Sequence, residues 1–543
     1  MNEPYDVTTG RTVRADDAQP PAGEAVPEIA EVYIENGARA PEKEYGTNST
    51  ITVTPSIDAD TTSISGVNVS SGTYSDAFLV ATGADSKSTI SRATITMGAT
   101  NVEGGSAGPA VSVGPDASVV LDNVNIVADG SLRYAAYVVE TGKLVVKNSV
   151  LESTGAAPGD GGSEPASNSP LLIYGMSRTN MSVGESLTYY LNTHVIAEGW
   201  AALSTDSATS NGLNLYAYNT NSEAINGGYA TYADTDCNVH LYGCTLQSPE
   251  IGAIISKSGN INVQSGASVD DTTASFLGTE DATTTDGTVV TGGRNAIMLH
   301  APDMMGEGLR ATDTGVLTVN NSTLATDTVL SNNAVTDYAE KYGEAVGAYV
   351  EHIMGSTILV KSTSTNITLD SATLESSSDV LIHTVLNNDS MGNFLNENDA
   401  DDASVDNVNI TMSNMSAAGN ILHEDYQRYM YLTLNSVNYS GAVVSGTYED
   451  WAALWSEYGD VNWMPDSSWD TINGVYMVLE NNSTWTVTGK STLSSLTVDE
   501  SSSVIGANGA AVKVTVNGAS MSITDIARTK TVTGEIIISL AAK

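Results

Sequence analysis

Hydrophobic and polar positions along the chain fall into an eight-residue phrase that returns many times, apolar at its first, third and last positions and usually Asn, Asp, Ser or Gly at its fifth. It reads VVLDNVNI from Val119, LVVKNSVL from Leu144, VHLYGCTL from Val239, LTVNNSTL from Leu317, ITLDSATL from Ile367 and LTLNSVNY from Leu432. Successive starts within these groups differ by 25 (Val119 to Leu144), 78 (Val239 to Leu317), 50 (Leu317 to Ile367) and 65 residues (Ile367 to Leu432). The first three are near multiples of one unit of about 25 residues, the length of a solenoid repeat. A weaker copy, ITMSNMSA from Ile410, divides the last interval, and further weak copies start at Leu213 and Ile261.

Alternation at the first and third positions is the period-two pattern of a strand with one buried face. The fifth residue breaks it with a type that tolerates a left-handed or sharply turned backbone. Strand, bend and strand in about 22 to 26 residues make one turn of a right-handed parallel β-helix, whose coils bury their inward faces against one another. The expected fold class is therefore all-β, a right-handed parallel β-helix solenoid with loop insertions and capped ends. About a dozen coils at a strand spacing of about 4.8 Å would give a rod of roughly 60 Å. Composition agrees: Phe is reduced to 3 residues while Val, Ile, Thr, Ser, Asn and Gly abound, so strands and turns are favoured over helices. A solenoid grows in one dimension, so 543 residues need not split into several globular domains.

Charge narrows the partners. With 64 Asp plus Glu against 21 Lys plus Arg the formal net charge is −43, which repels nucleic acid and anionic membrane surfaces. Surplus carboxylates also keep β-rich molecules from pairing edge to edge, and calcium binding or adaptation to high salt are the other readings of the same excess. No apolar stretch is long enough to span a membrane, and the opening MNEPYDVTTG lacks the charged and apolar regions of a signal peptide. Secretion is expected from style, because Ser/Thr/Asn/Gly-rich solenoids with little Cys and Lys typify exported bacterial surface proteins. Cys237 and Cys244 are the only cysteines. A strand running through CNVHLYGC holds them beyond the roughly 7 Å reach of a disulfide, so both are expected to be free, buried thiols.

Residues 1–45 are Pro-rich and charged without the octad, and read as an N-terminal arm or cap; coils are expected over 46–445, a Trp-rich insertion over 446–476, and closing coils with a cap over 477–543. Loops thrown out from coils are expected at 155–170, 270–293, 301–314, 335–349 and 387–403.

The Trp-rich insertion holds Trp451, Trp455, Trp463 and Trp469 together with Tyr458. Trp451 and Trp455 share one face of a short helix, which serves either as a lid packed on the coils or as part of a sugar-stacking platform. Asp399, Asp401, Asp402 and Asp406 crowd one loop and are the candidate metal ligands, with calcium as the ion; their spacing matches neither an EF-hand nor the nonapeptide calcium repeat. The histidines at 194, 240, 300, 352, 383 and 423 show no paired metal-binding spacing, and no GxSxG nucleophile elbow is present. Asp270 with Asp271, and Asp379 with His383, are read as surface features rather than acid/base pairs.

The octad coils resemble the pectin-lyase-like right-handed β-helix superfamily over about residues 50–540. The stretch STWTVTGKSTLSSLTVDESSSVIG, with Trp485, Gly489, Ser491 and Leu496, resembles the closing coils of autotransporter-type passenger domains. That resemblance implies a secreted or surface-displayed adhesin, extracellular or on the cell surface of a bacterium, binding a glycan or host surface receptor; the lack of an apolar span adds the expectation of no membrane insertion. The Asn-Thr-Asp and Gly-His-Gly motifs of the hydrolase branch are missing, so the expectation leans away from an enzyme. A polysaccharide lyase or hydrolase and a structural stalk or fibre subunit are the competing classes.

Overall fold

The computed structural model describes residues 32–35, 38–39, 54–55, 61–65, 68–71, 77–84, 86–98, 109–130, 133–154, 178–206, 212–256, 258–266, 284–300, 314–328, 351–361, 363–385, 407–425, 428–446 and 474–541. They form an all-β parallel β-helix whose contacts divide into two compact units: Met1–Ala166, Leu171–Ala253 and Asn260–Val289 in the first, Ser167–Pro170, Ile254–Gly259 and Val290–Lys543 in the second.

Three parallel sheets run through the first unit. One stacks Ser118–Asp122, Lys143–Lys147, Leu187–Leu191, Asn214–Tyr218, Asn238–Tyr242 and Asn260–Gln264, each in register with the next. A second carries Asn125–Asp129, Val150–Thr154, His194–Ala197 and Asn221–Ala224. A third carries Ala136–Val138, Arg178–Ser182, Ala201–Thr205 and Tyr229–Ala233. Octad positions one and three point inward: Val119, Leu144, Leu215, Val239 and Ile261 are wholly buried, as are Leu121, Val146, Ala217, Leu241 and Val263. Each large aliphatic so buried contributes about 1.5–3 kcal/mol, which makes the inward stripe the main source of cohesion. The interior also holds polar groups, among them the Tyr190 hydroxyl, which donates to Asn180 Oδ1 at 2.7 Å. Part of the expected N-terminal arm joins this unit, since Val32–Glu35 pairs parallel with Leu79–Thr82 and antiparallel with Ala38–Arg39.

In the copy from Ile261 the left-handed residue is the sixth, Gly266, but in seven copies the fifth octad residue has positive φ: 55° at Asn123, 53° at Asn148, 61° at Gly243, 48° at Asn321, 53° at Ser371, 53° at Asn414 and 57° at Ser436. The residue after it turns inward, and where it bears a hydroxyl it donates to the carbonyl two residues back, as Ser149 does to Lys147 (2.7 Å), Thr193 to Leu191 (2.9 Å) and Thr220 to Tyr218 (3.0 Å). Cys244 occupies the same place and, like Cys237, is a buried thiol outside any disulfide. Burial pushes the Cys244 thiol up to about 12.

In the second unit Thr314–Asn320, Ser364–Asp370, Asn407–Ser413, Tyr429–Asn435 and Gly474–Glu480 form one parallel sheet, and Asn295–His300, Ile358–Lys361, Val380–Val385, Asn420–His423 and Val443–Ser445 form another. Trp485 of the closing motif is wholly buried, its indole N–H donating to the Gly441 carbonyl at 2.9 Å. Beyond it the stack turns antiparallel: Ser491–Val498 pairs with Thr531–Leu540, which also pairs with Val512–Val516. A short helix, Ile523–Thr529, lies against this sheet and starts at Ser522, whose hydroxyl accepts from the Asp525 N–H.

Three sequence expectations need correction. Leu213 is not a copy start: Leu215 pairs with Val239, and the left-handed residue is Asn219. The 50-residue interval from Leu317 to Ile367 is one coil, not two, because these residues pair directly; Ile367 likewise pairs with Ile410. Loops lengthen a coil without disturbing register, since pairing constrains only the strands. The expected loop at 270–293 also contains the strand Val289–Gly292. Residues 270–283, like the other expected loops for most of their length, lie outside the described residues.

Gly243 meets two demands at once: φ is +61°, and an added Cβ would sit 2.0 Å from Thr284 Oγ1. Gly243→Ala should lower stability by about 1–2 kcal/mol through the backbone alone, and by more through the clash. Chemical denaturation of G243A and of G243A/T284A separates the two, because removing the hydroxyl should recover only the steric part.

Candidate functional site

With inward positions filled by core residues, chemistry on the coils falls to the outward positions of each strand and to residues just past strand ends. Two such clusters stand out among the described residues, one in each unit.

In the first unit the third sheet sets Arg178, Ala201 and Tyr229 in one register row, and Tyr137, Met181, Ser204 and Tyr232 in another. The Arg178 guanidinium lies 3.9 Å over the Trp200 ring and bonds Asp206 Oδ2 at 2.8 Å through Nη1. The Trp200 indole N–H donates to the Tyr229 hydroxyl at 2.5 Å. Tyr229 stacks on Tyr232 at 5.8 Å, and Tyr134 on Tyr137 at 5.4 Å. Burial alone would push the Arg178 group down, but Asp206 beside it more than compensates, so the guanidinium stays charged and its charge is neutralised in place. Arg178 is buried, whereas Trp200, Tyr134, Tyr137, Tyr232 and Asp206 are only partly covered. The result is a rim of half-exposed aromatic rings around a fixed ion pair.

A row of rings also runs along the first sheet of this unit. Tyr189, Tyr216 and His240 stack face to face at 5.0 and 4.5 Å, and Tyr218 stacks on Tyr242 at 5.0 Å. These separations follow the strand spacing of about 4.8 Å, so the coil repeat itself sets the stack. His240 Nδ1 accepts from the Asn262 side-chain amide at 3.2 Å.

In the second unit, Glu424 follows the strand Asn420–His423 and its N–H donates to the Thr384 carbonyl at 2.8 Å. His383 pairs with Leu422, two residues before Glu424, so the two side chains share a face. Glu424 Oε2 lies 2.8 Å from His383 Nε2 and 2.8 Å from Nε2 of His352, which belongs to the helical turn at 351–353. The two imidazoles meet edge to face with centroids 5.2 Å apart. His383 is 1% exposed; His352 and Glu424 are 27% and 28% exposed, so one side of the cluster faces solvent. Burial would raise the Glu424 carboxyl, but the two imidazoles override it and hold the group well below the usual carboxylate range.

Neighbouring contacts brace this arrangement. His423 turns inward, its Nε2–H donating to the Arg428 carbonyl at 2.8 Å and its Nδ1 accepting from the Thr384 hydroxyl at 2.6 Å. Burial lowers its pKa, in keeping with a neutral ring. The buried Asp425 binds Arg428 Nη1 at 3.0 Å.

The sequence-predicted platform of Trp451, Trp455, Tyr458, Trp463 and Trp469 lies outside the described residues, as do the predicted metal ligands Asp399, Asp401, Asp402 and Asp406 and the pair Asp270–Asp271. The surface reading of Asp379 and His383 holds for Asp379, which is exposed, and is corrected for His383, which is buried against Glu424. Comparison with protein-family models, with curated proteins and with solved structures finds no match to this chain.

His240 supplies a pH test of the ring stack. Burial lowers its pKa from 6.5 to about 4. On acidification the unfolded chain takes up this proton from about pH 6.5 downward, whereas the folded chain does not until about pH 4, so stability present above pH 6.5 is lost across that window. His240→Phe keeps the stack and removes the proton site. Its melting temperature should fall less steeply than that of the wild type between pH 6.5 and 4, read by calorimetry.

Proposed function

We propose that the chain is a secreted or surface-displayed β-helical binding protein of adhesin type, akin to the pectin-lyase-like superfamily, that docks a neutral glycan on the aromatic rim around Arg178 and Asp206. The observation that carries this reading is the convergence of half-exposed Trp200, Tyr137 and Tyr232 on an ion pair already neutralised by its own partner. Flat rings match the apolar faces of pyranose rings, and partly exposed carboxylate and phenol oxygens beside them suit sugar hydroxyls. The −43 charge favours a neutral over an acidic polysaccharide, because Arg178 has no spare charge to offer an anion. The autotransporter-like motif around Trp485 supports display at a bacterial surface.

The test is retention of the purified chain on a panel of neutral and acidic polysaccharides, scored with any oligosaccharide released. Neutral glycans should retain the chain and acidic ones should not. Tyr232→Ala should weaken retention at least about tenfold, equivalent to about 1.4 kcal/mol, while the melting temperature stays within a few degrees of wild type. Equal retention of wild type and Y232A would remove the aromatic rim as the docking site, and released product would turn the reading toward a polysaccharide-degrading enzyme.

A further inference from the structure

We infer that His352, His383 and Glu424 form a zinc site with three protein ligands and a solvent-facing fourth position. The inference is independent of glycan docking, which concerns the other unit.

Two imidazoles and a carboxylate are a ligand set that zinc favours, and a set of three leaves one coordination position for water or an incoming donor. All three ligand atoms lie within 4.8 Å of one another. Zinc bonds of about 2.0–2.2 Å in tetrahedral geometry place neighbouring ligand atoms about 3.3–3.6 Å apart. The two imidazole nitrogens now stand 2.8 Å from the Glu424 oxygen, so each His–Glu separation needs to open by only about 0.5–0.8 Å, within the reach of side-chain rotation.

The donors are also held in place. His383 is fixed by a central strand and by burial, and the backbone at Glu424 is pinned to Thr384. On either side of Glu424, His423 and Asp425 are buried and tied to the same residue, Arg428. Such bracing limits the reorganisation that metal binding would demand. An ion bound there would join the helical turn at 351–353 to two adjacent strands, so its effect would be read as stability of the second unit as well as occupancy.

The experiment uses the full chain, stripped with a chelator and titrated with Zn²⁺ alone. At about a hundredfold excess over Kd, one bound ion should raise the melting temperature of wild type by about 5 °C. His352→Ala, which removes the most accessible imidazole, should weaken zinc binding at least tenfold and abolish that rise, and His383→Gln should do the same. Co²⁺ gives a second readout that a purely structural role would not move: four-coordinate binding produces an intense visible band in wild type that both variants lose. Zinc binding left unchanged by both substitutions would assign the ion to the acidic surface and overturn the proposal. Absence of both the melting shift and the cobalt band in wild type would reduce the cluster to a hydrogen-bonded ion pair.

Discussion

A parallel stack of coils depends on every coil turning at the same place, and here that place is a single left-handed residue following a strand. Asn123, Asn148, Asn192, Asn219 and Gly243 occupy it in the first unit, and Asn321, Ser371, Asn414, Ser436 and Asn481 in the second. Asn and Gly accept this backbone at little cost, and Asn adds a side-chain amide that reaches the neighbouring coil. Asn148 donates to Asp122 and Asn192 to Asn148 in the first unit, as Asn414 does to Asp370 and Asn481 to Asn435 in the second. The bend thus serves local geometry and coil-to-coil cohesion together, and register follows along each strand that leaves it.

Once register is set, alternation divides the labour of the side chains. Inward positions are occupied mainly by aliphatic residues that exclude water, with a few hydrogen-bonded polar groups such as Tyr190 and Asn180 among them; outward positions are free to carry rings, charges and imidazoles at a constant spacing. That constancy explains the stack of Tyr189, Tyr216 and His240, where residues remote in sequence become ring-on-ring neighbours because each occupies the same outward position of its coil. The rim around Arg178 is assembled differently, from two register rows of another sheet together with Trp200 and Asp206 at the two ends of one of its strands. In the histidine–carboxylate cluster only His383 lies within a strand, while Glu424 follows one and His352 belongs to a helical turn.

Much of this was legible in the chain, and the failures are instructive. The octad located the bend correctly at seven copies because its fifth residue is chemically marked. The coil whose left-handed residue is Asn192 went unread because its first position is Thr188, a buried hydroxyl where the pattern asks for an aliphatic. Leu213 and Leu215 are both apolar and two residues apart, so alternation cannot separate them as copy starts; only the pairing with Val239 does. Arg178, Trp200 and Tyr229 form no motif, yet they lie about one coil apart, and coil register sets Arg178 and Tyr229 in one row with Trp200 one residue ahead of it. His352, His383 and Glu424 had no comparable signal.

The amino-acid sequence by itself determined the strands, buried faces and bends of the coils that carry the octad, since these depend on alternation and on a residue type that tolerates positive φ within a few neighbours. Tertiary structure alone decided which coils are adjacent across long insertions and which outward side chains meet. Loop length does not affect pairing, so the distance along the chain from His352 to Glu424 carries no information about the single carboxylate oxygen that, in the folded protein, lies 2.8 Å from each of two imidazole nitrogens.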